Sequence, residues 1–158
     1  MKKYILILFL LSSTSGFIHA QYATYGFKSG PSLARGTVDT VSLGLQIGAQ
    51  LEYVFSSNIA FSSELNINTQ PGIPIDWVLQ VKYYVQLKQK EIKPFFGVGT
   101  QVWFFEGGPY YAASVGAGVD LWLTKKFIVP IDLQFGRIFI DEGEVISFAG
   151  TVGIKFFF

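Results

Sequence analysis

The stretch Ile146-Ser-Phe148-Ala-Gly150-Thr-Val152-Gly-Ile154-Lys-Phe156-Phe-Phe158 decides the fold of this chain. Its even-numbered positions carry Ile, Phe, Gly, Val, Ile, Phe and Phe, whereas its odd-numbered positions carry Ser, Ala, Thr, Gly, Lys and one Phe. Successive side chains of a β-strand point to opposite faces. The alternation therefore predicts a strand with one apolar face and one small or polar face.

Seven segments upstream alternate in the same way, and they are separated by Gly, Pro, Asn, Ser and charged clusters. The eight predicted strands cover residues 22–33, 42–55, 59–69, 75–87, 94–105, 110–123, 127–139 and 145–158. Charges in the middle of these strands fall on the polar face. The exception is Arg137, which has the apolar parity, and we expect either a bulge after Gly136 or a side chain that snorkels to a polar boundary.

The first twenty residues have a different pattern. Lys2 and Lys3 precede an apolar run over residues 4–11, small residues follow at 12–16, and the small Ala20 stands at the expected cleavage point. These are the three parts of a secretory signal peptide, and the apolar run is far shorter than the roughly 20 residues of a spanning helix. The sequence therefore predicts a signal peptide over 1–20, removed on export, and a single domain over 21–158.

The composition of residues 21–158 excludes several function classes. They hold ten basic and eleven acidic residues, no Cys and, because His19 precedes them, no His. This balance offers no basic surface for nucleic acid. Without His, the usual general base is missing, and without His and Cys the usual transition-metal ligands are missing. We expect no catalytic residues, no cofactor, no metal site and no nucleic-acid partner.

Two kinds of barrel fit eight such strands. A lipocalin-like soluble barrel places its apolar face inside, whereas a membrane barrel places it against lipid. The polar face here is rich in Gly and poor in Lys and Glu, aromatic residues crowd the strand ends, and Phe158 stands last. These features predict an all-β, eight-stranded, antiparallel, up-and-down transmembrane β-barrel. Side chains fill the interior of an eight-stranded barrel, so we also expect no open pore.

Seven charged residues on the polar face are predicted to line the lumen and to pair with one another. They are Lys28, Glu52, Glu64, Lys82, Asp120, Asp132 and Lys155. As an alternative, Glu52 and Glu64, on adjacent strands, could form an acid/base pair; the nearby lysines favour salt bridges. Trp103, Trp122 and Tyr84 also face inward, where they either line an apolar pocket or plug the barrel.

The two ends of the predicted barrel differ in charge. With both termini in the periplasm, the periplasmic turns lie at 56–58, 88–94 and 124–126 and carry five Lys against Glu91. The outer loops at 34–41, 70–74, 106–109 and 140–144 carry five acidic residues against Arg35. These acidic residues either hold divalent cations beside lipopolysaccharide or are simply solvated. They are Asp39, Glu106, Asp141, Glu142 and Glu144.

Several short runs are similar to the PorT-like outer-membrane β-barrel domain. They are Tyr25-Gly-Phe-Lys-Ser-Gly30-Pro-Ser-Leu, Gly44-Leu-Gln-Ile-Gly48-Ala-Gln-Leu-Glu-Tyr53, Val78-Leu-Gln-Val-Lys82-Tyr-Tyr-Val, Lys93-Pro94-Phe-Phe-Gly97-Val-Gly99 and Gly116-Ala-Gly118-Val-Asp120. The chain departs from this pattern in strand four, where the usual Pro before Lys-Tyr-Tyr is missing. The resemblance implies a small barrel of the OmpX and OmpA membrane-domain type in the cell outer membrane.

The expected function is therefore that of a non-enzymatic outer-membrane protein with a structural or interaction role, such as an accessory to export or surface assembly. The rival hypothesis is a small transporter or binder of hydrophobic molecules. The ending on Phe158 resembles the C-terminal signal of Gram-negative outer-membrane barrels. It implies outer-membrane lipids and the barrel-assembly machinery as partners, while the sequence identifies no other protein partner.

Overall fold

The computed structural model describes residues 21–35, 41–69, 75–105, 108–140 and 143–158. They form eight strands, namely β1 (Tyr22–Arg35), β2 (Val41–Val54), β3 (Ile59–Asn68), β4 (Ile75–Tyr84), β5 (Ile92–Phe105), β6 (Gly108–Trp122), β7 (Phe127–Ile140) and β8 (Gly143–Phe157). The predicted signal peptide over 1–20, the centres of the four predicted outer loops and the side chains of their five acidic residues lie outside what is described.

Each strand pairs antiparallel with the next one, and β8 returns to pair with β1, so the sheet closes into a barrel. This confirms the predicted eight-stranded, antiparallel, up-and-down architecture. None of the described residues forms a helix long and apolar enough to cross a lipid bilayer.

The apolar face of the sheet points outward, as the sequence predicted. In β2, Leu43 is 73% exposed and Ile47 is 57% exposed, whereas Gln46, Gln50 and Glu52 are buried. The other strands repeat this alternation, and large aliphatic and aromatic side chains cover the outer wall. A soluble protein buries such side chains, so this outer surface is suited to lipid.

Short turns close one end of the barrel, which we call the turn end; it comprises residues 55–58, 85–91 and 123–126 together with Gln21 and Phe158. Hydroxyl groups shape two of these turns. Ser56 Oγ accepts hydrogen bonds from the backbone N–H groups of Asn58 and Ile59, at 3.3 and 3.0 Å. Thr124 Oγ1 accepts from the N–H of Lys126 at 3.0 Å. The opposite end is the loop end.

The connection between β4 and β5 differs from the prediction. The alternation Val85-Gln86-Leu87 predicted strand to residue 87, but β4 ends at Tyr84. Gln86 leaves the sheet because its amide donates to the Ser57 carbonyl at 2.8 Å. Strand β5 begins at Ile92, before the predicted start at Pro94, whose carbonyl still accepts a hydrogen bond from Val85 N–H at 2.8 Å.

Strand β7 contains no bulge at Arg137. Gly136 pairs with Ser114 and Arg137 with Ala113, one step further along the same register, and the pairing with β8 is equally regular. The predicted bulge after Gly136 is therefore wrong. The exposed Arg137 side chain lies on the outer face near the loop end of β7, where its length allows it to reach a polar boundary.

Gly99 allows the closest approach between β4 and β5. A Cβ atom there would lie 2.8 Å from Gln80 Cα and nearer still to the Leu79 carbonyl oxygen, and neither backbone atom can move aside easily. We therefore expect Gly99→Ala to lower the free energy of unfolding by about 1–3 kcal/mol. At Gly150 the nearest atom to a Cβ is Leu133 Cδ2, at 3.4 Å. Gly150→Ala is the matched control, and equal losses in urea unfolding would contradict this explanation.

Candidate functional site

The barrel interior contains three layers, and the middle one is charged. Each strand except β5 contributes one inward-facing charged side chain to this layer. These side chains are Lys28, Glu52, Glu64, Lys82, Asp120, Asp132 and Lys155. Lys82 pairs with Gly97 of β5, and the missing side chain of this glycine leaves room for the lysine. The seven predicted lumen residues therefore lie together, all of them buried.

The first half of the network joins β7, β1, β3 and β4. Lys28 Nζ forms an ion pair with Glu64, and it lies 3.5 Å from Asp132 Oδ2. Lys82 Nζ contacts the other oxygen of Glu64 at 3.5 Å. Glu64 therefore lies between two lysines, each of which reaches a second carboxylate.

The second half of the network continues toward the turn end. Lys82 Nζ and Lys155 Nζ both lie 3.2 Å from Glu52 Oε2, and Lys155 Nζ lies 2.8 Å from Asp120 Oδ2. The ion pairs thus run without a break from Asp132 to Asp120. Tyr84 adds a hydroxyl that contacts Glu52 Oε1 at 2.8 Å and Asp120 Oδ2 at 2.9 Å.

The arrangement of Glu52 and Glu64 favours the salt-bridge interpretation. Lys82 lies between these two residues, with its ammonium 3.2 Å from one carboxylate and 3.5 Å from the other. Both carboxylates are at most 2% exposed and engage lysines. The geometry holds the two charges in ion pairs rather than presenting them to a substrate.

An apolar layer lies between the charges and the turn end. Val54, Ala60, Tyr84 and Phe95 pack together there, with Tyr22 against them. Lys82 Nζ lies 4.6 Å from the centre of the Phe95 ring. The sequence interpretation named only Tyr84 of this layer. The inward parity of Val54 and Phe95 was the signal that could have identified the rest.

Beyond this layer a vestibule opens at the turn end. It has a volume of about 370 Å³ and is lined by Tyr22, Tyr84, Lys90, Lys93 and Trp122, among others. Lys93 Nζ lies 3.8 Å from the centre of a Trp122 ring, a cation–π contact. The vestibule therefore combines aromatic walls with lysines, and its inner end is the apolar layer.

The third layer faces the loop end. Asp76 accepts a hydrogen bond from the Gln101 amide, and both side chains line a cavity of about 10 Å³ with Trp103. A second interior cavity, beside Lys28 and Glu64, has the same volume. About one water molecule fits in a cavity of this size.

The three inward aromatic residues do not share one pocket. Tyr84 and Trp122 line the vestibule, whereas Trp103 lines the small cavity near the loop end, beyond the charged network. Of the two alternatives for these residues, a single pocket lined by all three is therefore excluded. Trp103 and Tyr84 lie at opposite ends of the barrel axis. Trp103 pairs with Asp76 at the loop end of β4, whereas Tyr84 ends the same strand at the turn end.

Among the described residues, no group of three or more His, Cys, Asp or Glu side chains has an arrangement that could hold a metal ion. The lumen carboxylates engage lysines, the Tyr84 hydroxyl and the Gln101 amide instead.

No protein-family model matches this chain, and no curated protein matches its sequence. Solved structures do match. Neisserial surface protein A is 13% identical with a TM-score of 0.73, and the match covers 89% of this chain and 99% of that one. The chain has the fold of the small outer-membrane β-barrels. The N-terminal β-barrel domain of Pseudomonas aeruginosa OprF is 14% identical with a TM-score of 0.64, covering 89% of this chain and all of that one.

A designed protein shares the same architecture. A de novo designed transmembrane β-barrel is 8% identical, with a TM-score of 0.57 over 89% of this chain and all of that one. At these identities the likeness concerns the fold alone. A shared fold does not determine the role of the chain, which depends on its own side chains.

Proposed function

We propose that this protein is a non-enzymatic, integral outer-membrane β-barrel with a structural or interaction role, in which the barrel is a rigid anchor. The observation that carries this proposal is the filled lumen. A continuous ion-pair network crosses it, and the two interior cavities, one beside Glu64 and one beside Trp103, each have room for about one water molecule. Such an interior supports anchoring rather than passage.

Several features support placement in the outer membrane. The outer wall is apolar, and Tyr25, Phe156 and Phe158 form an aromatic group at the turn end, with ring centres 5.0–5.6 Å apart. Aromatic girdles mark the membrane boundary in barrels of this kind. The predicted signal peptide over 1–20 and the resemblance to the PorT-like domain add to the proposal. Outer-membrane lipids are the proposed surroundings.

Assembly in that membrane requires recognition by the barrel-assembly machinery. We propose that Phe158, which follows β8, supplies this signal, because it is 80% exposed and carries its ring outside the barrel. This partner is proposed from the sequence resemblance described above.

The interaction surface is proposed to lie at the turn end. Five lysines lie on two turns and at the start of β5, against one acidic residue, and the vestibule opens among them. They are Lys88, Lys90, Lys93, Lys125 and Lys126. With the turn end in the periplasm, this surface suits an acidic segment of a periplasmic protein that serves export or surface assembly.

A second candidate function rests on the vestibule itself. Its volume of about 370 Å³ lies within the usual range for small-molecule sites, and Tyr22, Val54 and Ile92 give it apolar walls. Because the apolar layer closes its inner end and the charged network lies beyond that layer, it is a blind pocket. This candidate is a binder of hydrophobic molecules rather than a transporter that moves them through the lumen.

Cross-linking and affinity purification from intact outer membranes would separate the two candidates. We expect a reproducible protein partner that is lost from the double variant Lys90→Glu, Lys93→Glu and kept by the charge-preserving control Lys90→Arg, Lys93→Arg. Stoichiometric co-purified lipid or hydrocarbon in place of a protein would contradict the interaction role and support the binder. Catalytic turnover that survives thorough purification would contradict both.

The filled lumen also predicts electrical behaviour. Inserted into planar lipid bilayers, the protein is expected to show no conductance of ordinary porin size, because buried side chains occupy the barrel interior. A porin inserted under the same conditions is the positive control. Steady porin-sized steps from the pure protein would contradict the closed lumen and, with it, the anchoring role.

A further inference from the structure

The Tyr84 hydroxyl lies between two carboxylates of the lumen network. Its oxygen is 2.8 Å from Glu52 Oε1 and 2.9 Å from Asp120 Oδ2, both ordinary lengths for O–H···O hydrogen bonds. A phenol has one proton to donate, and an ionised carboxylate can only accept. The tyrosine can therefore satisfy one of the two contacts, and the other needs a proton of its own.

The charge of the network gives an independent reason for one additional proton. Its ion pairs join three lysines to four carboxylates, so the fully ionised network has a net charge of −1. All seven side chains are buried, and an uncompensated charge in such surroundings is costly. One added proton makes the network neutral.

We propose that Glu52, Tyr84 and Asp120 form a buried site that holds one proton at neutral pH, shared by the two carboxyl groups through the tyrosine hydroxyl. In this site a carboxylic acid donates to the Tyr84 oxygen, and Tyr84 donates to the other carboxylate. The lysines satisfy the remaining oxygens. Glu52 Oε2 accepts from Lys82 and Lys155 at 3.2 Å, and Asp120 Oδ1 accepts from Lys155 at 3.0 Å.

Charged and titratable groups surround this site on the neighbouring strands. They are Tyr22 and Lys28 of β1, Glu64 of β3, Lys82 of β4, Lys93 of β5, Asp132 of β7 and Lys155 of β8. Tyrosine, lysine and carboxyl side chains ordinarily titrate outside the range from about pH 6 to pH 9. Residues 21–158 also lack His and Cys, the side chains that titrate inside it.

The site is close to solvent at the turn end. Tyr84, which joins the two carboxylates, also lines the vestibule. Reversible unfolding exposes the site to solvent, so its protonation equilibrates with the buffer during an unfolding measurement at each pH. The shared proton then becomes visible as a dependence of folding on pH.

The direction of the pH dependence follows from the number of protons that the folded and unfolded chains bind. Above about pH 5 the unfolded chain has both carboxyl groups ionised. The folded chain holds one more proton, so raising the pH favours unfolding. In lipid vesicles we expect the ratio of folded to unfolded protein to fall about tenfold per pH unit between about pH 6 and pH 9, until the site loses its proton.

Amide variants test the assignment because an amide mimics a protonated carboxyl group. Glu52→Gln and Asp120→Asn should each match the wild type near pH 6 and lose the pH dependence, while the double variant should be destabilised at every pH. Asp76→Asn is the matched control. Asp76 is equally buried but takes its hydrogen bond from Gln101, outside the network, so this variant should keep the slope.

Infrared spectra give a second readout that does not depend on unfolding. In an Asp76→Asn background near pH 7, the spectrum should show the carbonyl stretch of a protonated carboxylic acid, and adding either Glu52→Gln or Asp120→Asn should remove it. The proposal is overturned if wild-type stability is flat from about pH 6 to pH 9 while both single variants are destabilised throughout. It is also overturned if the single variants keep the slope. An N-terminal amine also titrates in this pH range, but every variant carries the same one, so it does not affect the difference in slope between variants.

Discussion

Replacing Lys155 with methionine should lower the free energy of unfolding by about 3–5 kcal/mol. Lys155 is fully buried, and its ammonium contacts Glu52 at 3.2 Å and Asp120 at 2.8 Å. Methionine fills a similar volume but leaves both carboxylates without this cation in a confined interior. A glutamate at this position should cost more still, because it would place three carboxylates in contact.

Urea unfolding in lipid vesicles measures this loss. The matched control is Lys126→Met on the exposed turn between β6 and β7, where a change within about 0.5 kcal/mol is expected. Similar effects at both positions would mean that the network does not stabilise the fold. Similar losses at the two positions would also result if the Lys155 side chain pointed out of the barrel rather than into the lumen.

Arginine in place of Leu133 should cost about 2–4 kcal/mol if this residue lies at the bilayer midplane. Leu133 is 53% exposed on the outer wall, halfway along β7. The penalty arises because lipid cannot hydrate the guanidinium there. Val119, on the neighbouring strand β6, has the same outward parity but lies three residues from the turn end of that strand, so arginine there should cost less than at Leu133.

The matched control for the outer wall is Leu123→Arg. Leu123 is 60% exposed but follows the last residue of β6 at the turn end, where barrels tolerate arginine at a cost of about 0–1 kcal/mol. The difference between the two variants, obtained from vesicle unfolding, reports the depth of each residue. An equal cost at both positions would argue against a lipid-facing wall.

The strand pattern could be predicted because a closed barrel links side-chain parity to burial. In β8, Ser147, Ala149 and Thr151 are buried while Phe148 and Val152 are exposed, as the alternation indicated. The same alternation identified which charged residues line the lumen. The pairing of a given lysine with a given carboxylate depends on the stagger of the strands, which parity alone does not determine.

Features set by height along the barrel could not be predicted. Trp103 and Tyr84 share the inward face, but only the register of β4 with β5 places them at opposite ends. The bridging hydroxyl of Tyr84 depends on β2, β4 and β6 converging across the lumen. The end of β4 was missed because alternation continues past Tyr84, while the Gln86 hydrogen bond to Ser57 draws the chain out of the sheet.

Lipid-phase quenching along β7 would show which face of the barrel contacts the membrane. Because the chain contains no cysteine, single cysteines at positions 131 to 135 can carry a fluorophore without background labelling. In vesicles that contain a quencher dissolved in the lipid, labels at 131, 133 and 135 should be quenched and labels at 132 and 134 should be protected. Protection at the odd positions, or quenching that does not alternate, would contradict a barrel with its apolar face in the membrane and its charges in the lumen.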